Sequence, residues 1–324
     1  MRRNMYLFNR LTAIMLTTML FCPTLPLEAR TKKGDKFLAE GHDVTVYDLY
    51  PERFRRSPSG IKFFTGDFGN VGALGELIAT GFDAVIHCVS TTTPKSSNES
   101  PEFDIQSNVI GTLNLLDICV RHTVGKLVFL SSGGTVYGDI GELEMVDETH
   151  SVRPMCSYGV SKLSIEHYLD VYKHLRGLNY VALRLSNPYG ERQSPLRALG
   201  ALTVFLHRTL KRQHVEVWGD GSVTRDFIYV GDVANAVYLA TVNPVSGIFN
   251  VGTGTGLSLR EILAQIAIVV DREPSVKWLP ARSFDVPRIV LDASKLRAAT
   301  KWSCLTTLKD GVAITADWLK NTDI

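Results

Sequence analysis

The sequence predicts an α/β fold: a doubly wound, mostly parallel sheet with a smaller α+β lobe. Three observations carry this. Continuous apolar runs such as Ala84-Val85-Ile86-His87-Cys88-Val89, of the kind buried on both faces of a parallel sheet, alternate with segments of helical periodicity. Several runs end in small or polar residues, as at Ser131-Ser132-Gly133-Gly134, where such sheets meet ligands. Beyond about Asn187 the alternation becomes irregular, with short strands mixed among helices.

Taken in order, Phe37 to His42 reads as a helix end with a glycine C-cap, leading into the strand Val44 to Asp48. The strand Ile61 to Phe64 ends in Thr65-Gly66-Asp67, and a short helix spans Val71 to Thr80. After the run beginning at Ala84, Ser90 to Pro101 reads as a polar loop. A long helix covers about Phe103 to His122, with Ile105, Val109, Leu113, Leu116 and Val120 along it. Lys126 to Leu130 and Tyr180 to Leu185 are strands with a helix from Ser157 between them. In the second half, strands at Val215 to Trp218 and Ile248 to Val251 and helices at Leu199 to Lys211, Asp232 to Thr241, Leu259 to Val270 and Leu308 to Lys320 make up the smaller lobe.

Composition is that of an ordinary globular protein: 45% hydrophobic, 21% charged, 26 glycines. Lys+Arg 35 against Asp+Glu 33 offers no electrostatic case for nucleic acid. Five cysteines without a Cys-x-x-Cys pair read as reduced thiols in a cytoplasmic enzyme, and the eight histidines show no metal-ligand spacing. At the amino terminus, Arg2, Arg3 and Arg10 border an apolar run, Leu11 to Cys22, that resembles a secretory leader but is too short to span a bilayer comfortably. Three readings stay open: a leader, a poor first strand, or a start foreign to the fold.

The chemistry centres on Ser157-Tyr158-Gly159-Val160-Ser161-Lys162. If Ser157 opens a helix, Tyr158 and Lys162 stand one turn apart on one face. A phenol titrates near pH 10, and a nearby ammonium favours its phenolate, so the pair could exchange protons near neutrality. Alone, the spacing better describes a half-buried aromatic beside a solvated charge, so the case rests on what surrounds it.

Four features line up in chain order: Asp48 ending a strand, Ser131-Ser132 ending another, Tyr158 with Lys162, and Arg225-Asp226-Phe227-Ile228-Tyr229-Val230. With Asn108-Val109-Ile110-Gly111-Thr112, Val136-Tyr137-Gly138, Ser186-Asn187-Pro188-Tyr189-Gly190 and the run Gly219 to Val233, they resemble the extended short-chain dehydrogenase/reductase family in its nucleotide-sugar epimerase and dehydratase branch. The resemblance covers roughly Phe37 to the carboxyl end. It implies a Rossmann-like NAD-binding domain at 37–186 and a nucleotide-sugar-binding lobe at 187–324, after an atypical segment at 1–36. By the same resemblance Tyr158, Lys162 and Ser132 are catalytic, Asp48 holds the adenosine ribose, and Asp67 lies against adenine. Asn108, Ser131, Tyr158 and Lys162 are placed at the cofactor, Thr135 at the sugar, and Asn187, Arg225 and Arg282 at the nucleotide diphosphate. The helices near 103–122 and 157–176 resemble the pair that joins two copies into a homodimer. No metal, nucleic acid or membrane partner is expected.

Two departures stand out. No glycine-rich turn precedes the first helix; its expected place, near Thr24 to Arg30, holds Pro23-Thr24-Leu25-Pro26-Leu27-Glu28, and Leu16 to Cys22 is left as a possible first strand. The hydroxyl expected four residues before Tyr137 falls on Gly133, leaving Ser132 or Thr135 to replace it. Gly133-Gly134-Thr135 also lacks the acidic residues that dehydratases and decarboxylases of the branch carry. The resemblance therefore implies NAD-dependent epimerisation of a nucleotide sugar at C4, with UDP-glucose/UDP-galactose first. Another UDP-sugar epimerase or reductase, and an inactive homologue with impaired NAD binding, are the alternatives.

Overall fold

The computed structural model describes residues 11–16, 34–50, 60–195, 200–282 and 286–322. Seven strands form one sheet: β1 (Thr12–Leu16), β2 (Asp43–Asp48), β3 (Ile61–Thr65), β4 (Ala84–His87), β5 (Lys126–Ser132), β6 (Tyr180–Leu185) and β10 (Gly247–Val251). Their order is β10-β6-β5-β4-β1-β2-β3, and every neighbouring pair is parallel. The chain winds outward in opposite directions from β1 and β4, which opens a crevice at their carboxyl ends.

Period-two side-chain alternation builds a core on each face. Ala13, Met15, Val128 and Leu130 face one way, joined by Phe37 of helix α1 (residues 34–39) and by Val233 and Val237 of α9 (Val230–Val242). Ile14, Leu127 and Phe129 face the other way, against α2 (Val71–Ile78), α5 (Gly111–Arg121) and α7 (Ser157–Arg176). Among the described residues no helix is long and apolar enough to cross a membrane.

The smaller part contains β7 (Asn187–Tyr189), β9 (Thr224–Tyr229), β11 (Gly256–Ser258) and β13 (Arg288–Ile289) in a mixed sheet, and the parallel pair β8 (Val215–Trp218) and β12 (Val276–Leu279). Helices α8 (Ala201–Leu210), α10 (Leu259–Val270) and α12 (Leu308–Lys320) pack around them, with α11 (Ser294–Thr300) against β10. The strand expected in this lobe at Ile248 to Val251 is instead the edge of the large sheet, where β10 pairs with β6.

Several expectations change in detail. The first strand is Thr12–Leu16 rather than Leu16 to Cys22, so part of the segment set apart as 1–36 lies at the centre of the sheet. Residues 17–33, including the expected place of the glycine turn at 24–30, lie outside the described residues. The polar loop from Ser90 contains a short helix, α3 (Pro94–Glu99), for which Thr93 and Ser96 form a capping box with Pro94 at the first position. The single helix expected over about 103–122 is three pieces: α4 (Pro101–Asp104), a π-helical stretch (Ile105–Ile110) and α5. The Ser107 hydroxyl donates to the Phe103 carbonyl and that of Thr112 to the Asn108 carbonyl, back-bonding of the kind that bends helices.

Two side chains set the entry of β1. The Leu11 amide donates to His42 Nδ1 at 2.9 Å, and the Thr12 amide to Asp83 Oδ2 at 2.8 Å. His42 and Asp83 immediately precede β2 and β4, so the turns leading into both neighbours hold the strand between them. Burial, the largest cause, keeps the His42 pKa below its ordinary value, and the Leu11 bond requires an unprotonated Nδ1. A lowered folded-state pKa means stability that is complete above about pH 6.5 and is lost as pH falls through the folded value. In urea titrations His42→Phe should therefore cost about 1 kcal/mol at pH 7, and the gap from the native chain should shrink by pH 5. A gap independent of pH would refute this role.

Candidate active site

Lys162, with Tyr158 beside it, reaches the carboxyl end of β5, the strand that Ser132 closes. Tyr158 and Lys162 are buried in the first turns of α7. The Lys162 ammonium donates to the Leu130 carbonyl at 3.0 Å, lies 4.7 Å from the Phe129 ring centroid and 5.5 Å from that of Tyr158. It thus ties α7 to β5 two residues before Ser132. Ser132 is 2% exposed, and its hydroxyl makes no hydrogen bond among the described residues. A hydroxyl at a strand end that no protein group engages suits a ligand oxygen.

Leu291 explains why a hydroxyl is missing at Gly133. A Cβ there would lie 2.4 Å from Leu291 Cδ1 and 3.3 Å from the Leu185 carbonyl oxygen, so a side chain would displace Leu291. Half-buried Thr135 sits in the single turn α6 (Gly133–Val136). That turn touches α7 beside Tyr158, where a Cβ on Gly159 would stand 2.8 Å from the Thr135 carbonyl oxygen.

The remaining expected residues divide into two groups. Asp48 is fully buried at the end of β2, its carboxylate accepting from the Tyr50 amide at 3.2 Å. Exposed Asp67 accepts from the Gly69 amide through its carboxylate, while its carbonyl accepts from the Tyr47 hydroxyl. Asn187 donates to the Asp226 carbonyl at 3.3 Å from the neighbouring strand; Arg225 is half-buried and donates to the Thr224 carbonyl. Arg282 is exposed with its guanidinium 5.4 Å from the ring centroid of Trp218, and residues 283–285 beside it lie outside the described residues. In contrast, Asn108 and Ser131 turn inward. The Asn108 amide group accepts from the Thr91 amide and donates to Asp104 and Thr92, pinning the chain after β4. The Ser131 hydroxyl donates to Glu166.

Glu166, which sequence reasoning missed, organises the site from behind. It is 1% exposed and meets Arg184 of β6 through Nη2 at 2.7 Å and Nε at 3.1 Å. Burial alone would lower the Arg184 pKa, but bonding to Glu166 outweighs it and raises the value. The Arg184 guanidinium also lies 4.9 Å from the Tyr137 ring centroid, and the Tyr137 hydroxyl donates to Asn250 at 2.7 Å. The available signal was a carboxylate at four-residue spacing after Tyr158 and Lys162, on a face that should be apolar. Gly34 was missed too: a Cβ there would be 3.2 Å from Ile61 and 3.8 Å from Met15 Sδ, so it brings α1 close against the sheet.

A doubly wound parallel sheet with a buried tyrosine and lysine one turn apart and a serine at the neighbouring strand end defines the dinucleotide-dependent oxidoreductase-like class. The chain belongs to the NAD dependent epimerase/dehydratase family, whose profile matches residues 35–252. It is 35% identical over 288 residues to the putative UDP-glucose 4-epimerase of Methanocaldococcus jannaschii, covering 89% of this chain and 93% of the relative. It is 32% identical over 295 residues to the UDP-glucose 4-epimerase of Mycolicibacterium smegmatis, covering 89% and 94%. Among solved structures, Thermus thermophilus UDP-glucose 4-epimerase in complex with NAD is similar with a TM-score of 0.86 at 35% identity, over 95% of this chain and 99% of that one. The Thermotoga maritima enzyme with UDP-glucose gives 0.88 at 27% identity, with the same coverage.

Removing one partner of a buried ion pair leaves an uncompensated charge, a loss of about 3–5 kcal/mol. Glu166→Gln should lower unfolding free energy by that order, and Glu166→Gln/Arg184→Met should recover part of it in urea titrations. Equal stability of the native chain and Glu166→Gln would show that the pair contributes nothing.

Proposed function

We propose that this protein interconverts UDP-glucose and UDP-galactose by NAD-dependent epimerisation at C4. The observation that carries the reading is Lys162, with Tyr158 beside it, bonded to the Leu130 carbonyl two residues before the unpartnered hydroxyl of Ser132.

NAD suits the residues present: Asp48 at the end of β2 would hold the adenosine ribose hydroxyls, Asp67 would lie near adenine, and Lys162 would hold the nicotinamide ribose. NAD held there would supply the acceptor, and then the donor, of the hydride exchanged at C4. Tyr158, its phenolate favoured by the Lys162 ammonium, accepts the proton of the sugar 4-hydroxyl and gives it back after the keto sugar has turned over. Ser132 hydrogen-bonds the same oxygen and orients it, with Thr135 alongside. Asn187, Arg225 and Arg282 would hold the diphosphate, arginine being suited to bidentate contact with its oxygens. Asn108 and Ser131 act indirectly in this reading, through the chain after β4 and through Glu166. The absence of a carboxylate at Gly133-Gly134-Thr135 favours epimerisation over elimination. In this division 37–186 serves the cofactor and 187–324 the nucleotide sugar, with β10 and α9 of the latter built onto the large sheet.

We also infer a homodimer in a cytoplasmic setting. Val160, Tyr168, Val171 and Leu175 are exposed at spacings that place them on one side of α7, and Phe103, Ile105 and Ile110 are exposed on the adjoining 101–110 segment. These are the segments that the resemblance places at a dimer interface.

Tyr158→Phe should lower kcat for conversion of UDP-galactose to UDP-glucose by about 10²–10⁴-fold; unchanged turnover would sink the mechanism. Val171→Glu/Leu175→Glu should halve the mass seen by light scattering after size exclusion. A native chain that is already monomeric would refute the dimer.

A further inference from the structure

Asp104, at the end of α4, is a fully buried carboxylate. Its Oδ2 accepts from the Ser161 hydroxyl at 2.6 Å and the Ser157 hydroxyl at 3.2 Å. Its Oδ1 accepts from Asn108 Nδ2 at 2.9 Å and from the Thr92 hydroxyl. Four neutral donors thus surround one anion, drawn from the chain after β4, the π-helical stretch and the first two turns of α7.

The two serines flank Tyr158, and with 100° per residue they lie on the helix side next to the one carrying Tyr158 and Lys162. The start of α7 has only a weak cap of its own, the Cys156 thiol facing the Tyr158 and Gly159 amides. α3 supplies the bonds instead: the Ser157 amide donates to Asn98 Oδ1 and the Tyr158 amide to Ser97 Oγ, both at 2.9 Å. Amide capping fixes where the helix begins, whereas the bonds from Ser157 and Ser161 to a single carboxylate fix its rotation about its own axis.

We propose that Asp104 is a positioning residue for the reaction, holding the rotation of α7 so that Tyr158 and Lys162 face the end of β5. The proposal rests on the epimerase reading. Misplacing a reacting group by about 1 Å can cost ~10²-fold in rate, whereas substrate binding through Asn187, Arg225 and Arg282 comes from other elements. The change should therefore fall on kcat rather than KM.

The test uses the full-length protein with saturating NAD. Ser157→Ala/Ser161→Ala leaves Asp104 bonded to Asn108 and Thr92, so it keeps the fold testable where Asp104→Ala does not. The double variant should lose about 10–100-fold in kcat for UDP-galactose with KM within about threefold of native. Asp104→Asn, which keeps one acceptor oxygen while the hydroxyl partners can reorient, should fall between the native protein and the double variant. Unchanged kcat, or kcat and KM altered in step, would overturn the proposal. Amide exchange read by mass spectrometry is independent of turnover: exchange across 157–160 should rise at least about tenfold in the double variant while β4 and β5 are unaffected. Unchanged exchange there overturns the proposal even if no sugar nucleotide is turned over, whereas a native protein inactive towards every UDP-sugar defeats the epimerase reading instead.

Discussion

The contact between Glu166 and Arg184 governs where α7 can sit. Burying two charges is costly, and such a pair often adds little net stability compared with well-packed apolar residues. It does make misplacement expensive. A one-residue slip of α7 would turn its side chains by 100° and shift them by 1.5 Å, stranding both charges and releasing Ser131. Since Glu166 lies one turn beyond Lys162, the same slip would carry Lys162 away from the Leu130 carbonyl. The register of α7 against β5 and β6 is therefore enforced electrostatically behind the site, while the front is left for a ligand.

A second buried carboxylate plays the corresponding part for the smaller lobe. Asp226 accepts from the Thr253 amide and hydroxyl, the Gly254 amide and the Leu291 amide. Burial raises its pKa, and these donors act in the opposite direction. Through them β9, which carries Arg225, is held to the chain after β10 and to the segment whose Leu291 fills the space above Gly133. The missing hydroxyl at Gly133 and the position of Arg225 are thus linked through one segment.

Legibility in the sequence followed the range of the determining contacts. The α7 boundaries were readable because the signals are local, a polar entry at Ser157 followed by a tyrosine, a lysine and apolar residues at helical spacing, and the structure closes the helix at Gly177 in the left-handed conformation. Tyr158, Lys162 and Ser132 were picked out by their order in the chain, and their roles belong to the proposed reaction. The first strand was misplaced because its limits depend on His42 and Asp83, 31 and 71 residues away from the groups they bind. The π-helical stretch went unseen because its side chains answer to Thr91 and Thr92 in the chain after β4. Asn108 and Ser131 carried family-like identities but spend their polar atoms on neighbours, a distinction that no one-dimensional pattern contains.

The central place of β1 also bears on how the chain is made. Its two partners are β2 and β4, and β4 emerges about 70 residues later, roughly 4–14 s at ordinary synthesis rates. During that interval Ala13, Ile14 and Met15, all fully buried in the finished protein, have only one side of their strand paired even if β2 docks at once. The nascent chain therefore presents an apolar strand edge to the ribosome surface and to chaperones well before α7 exists.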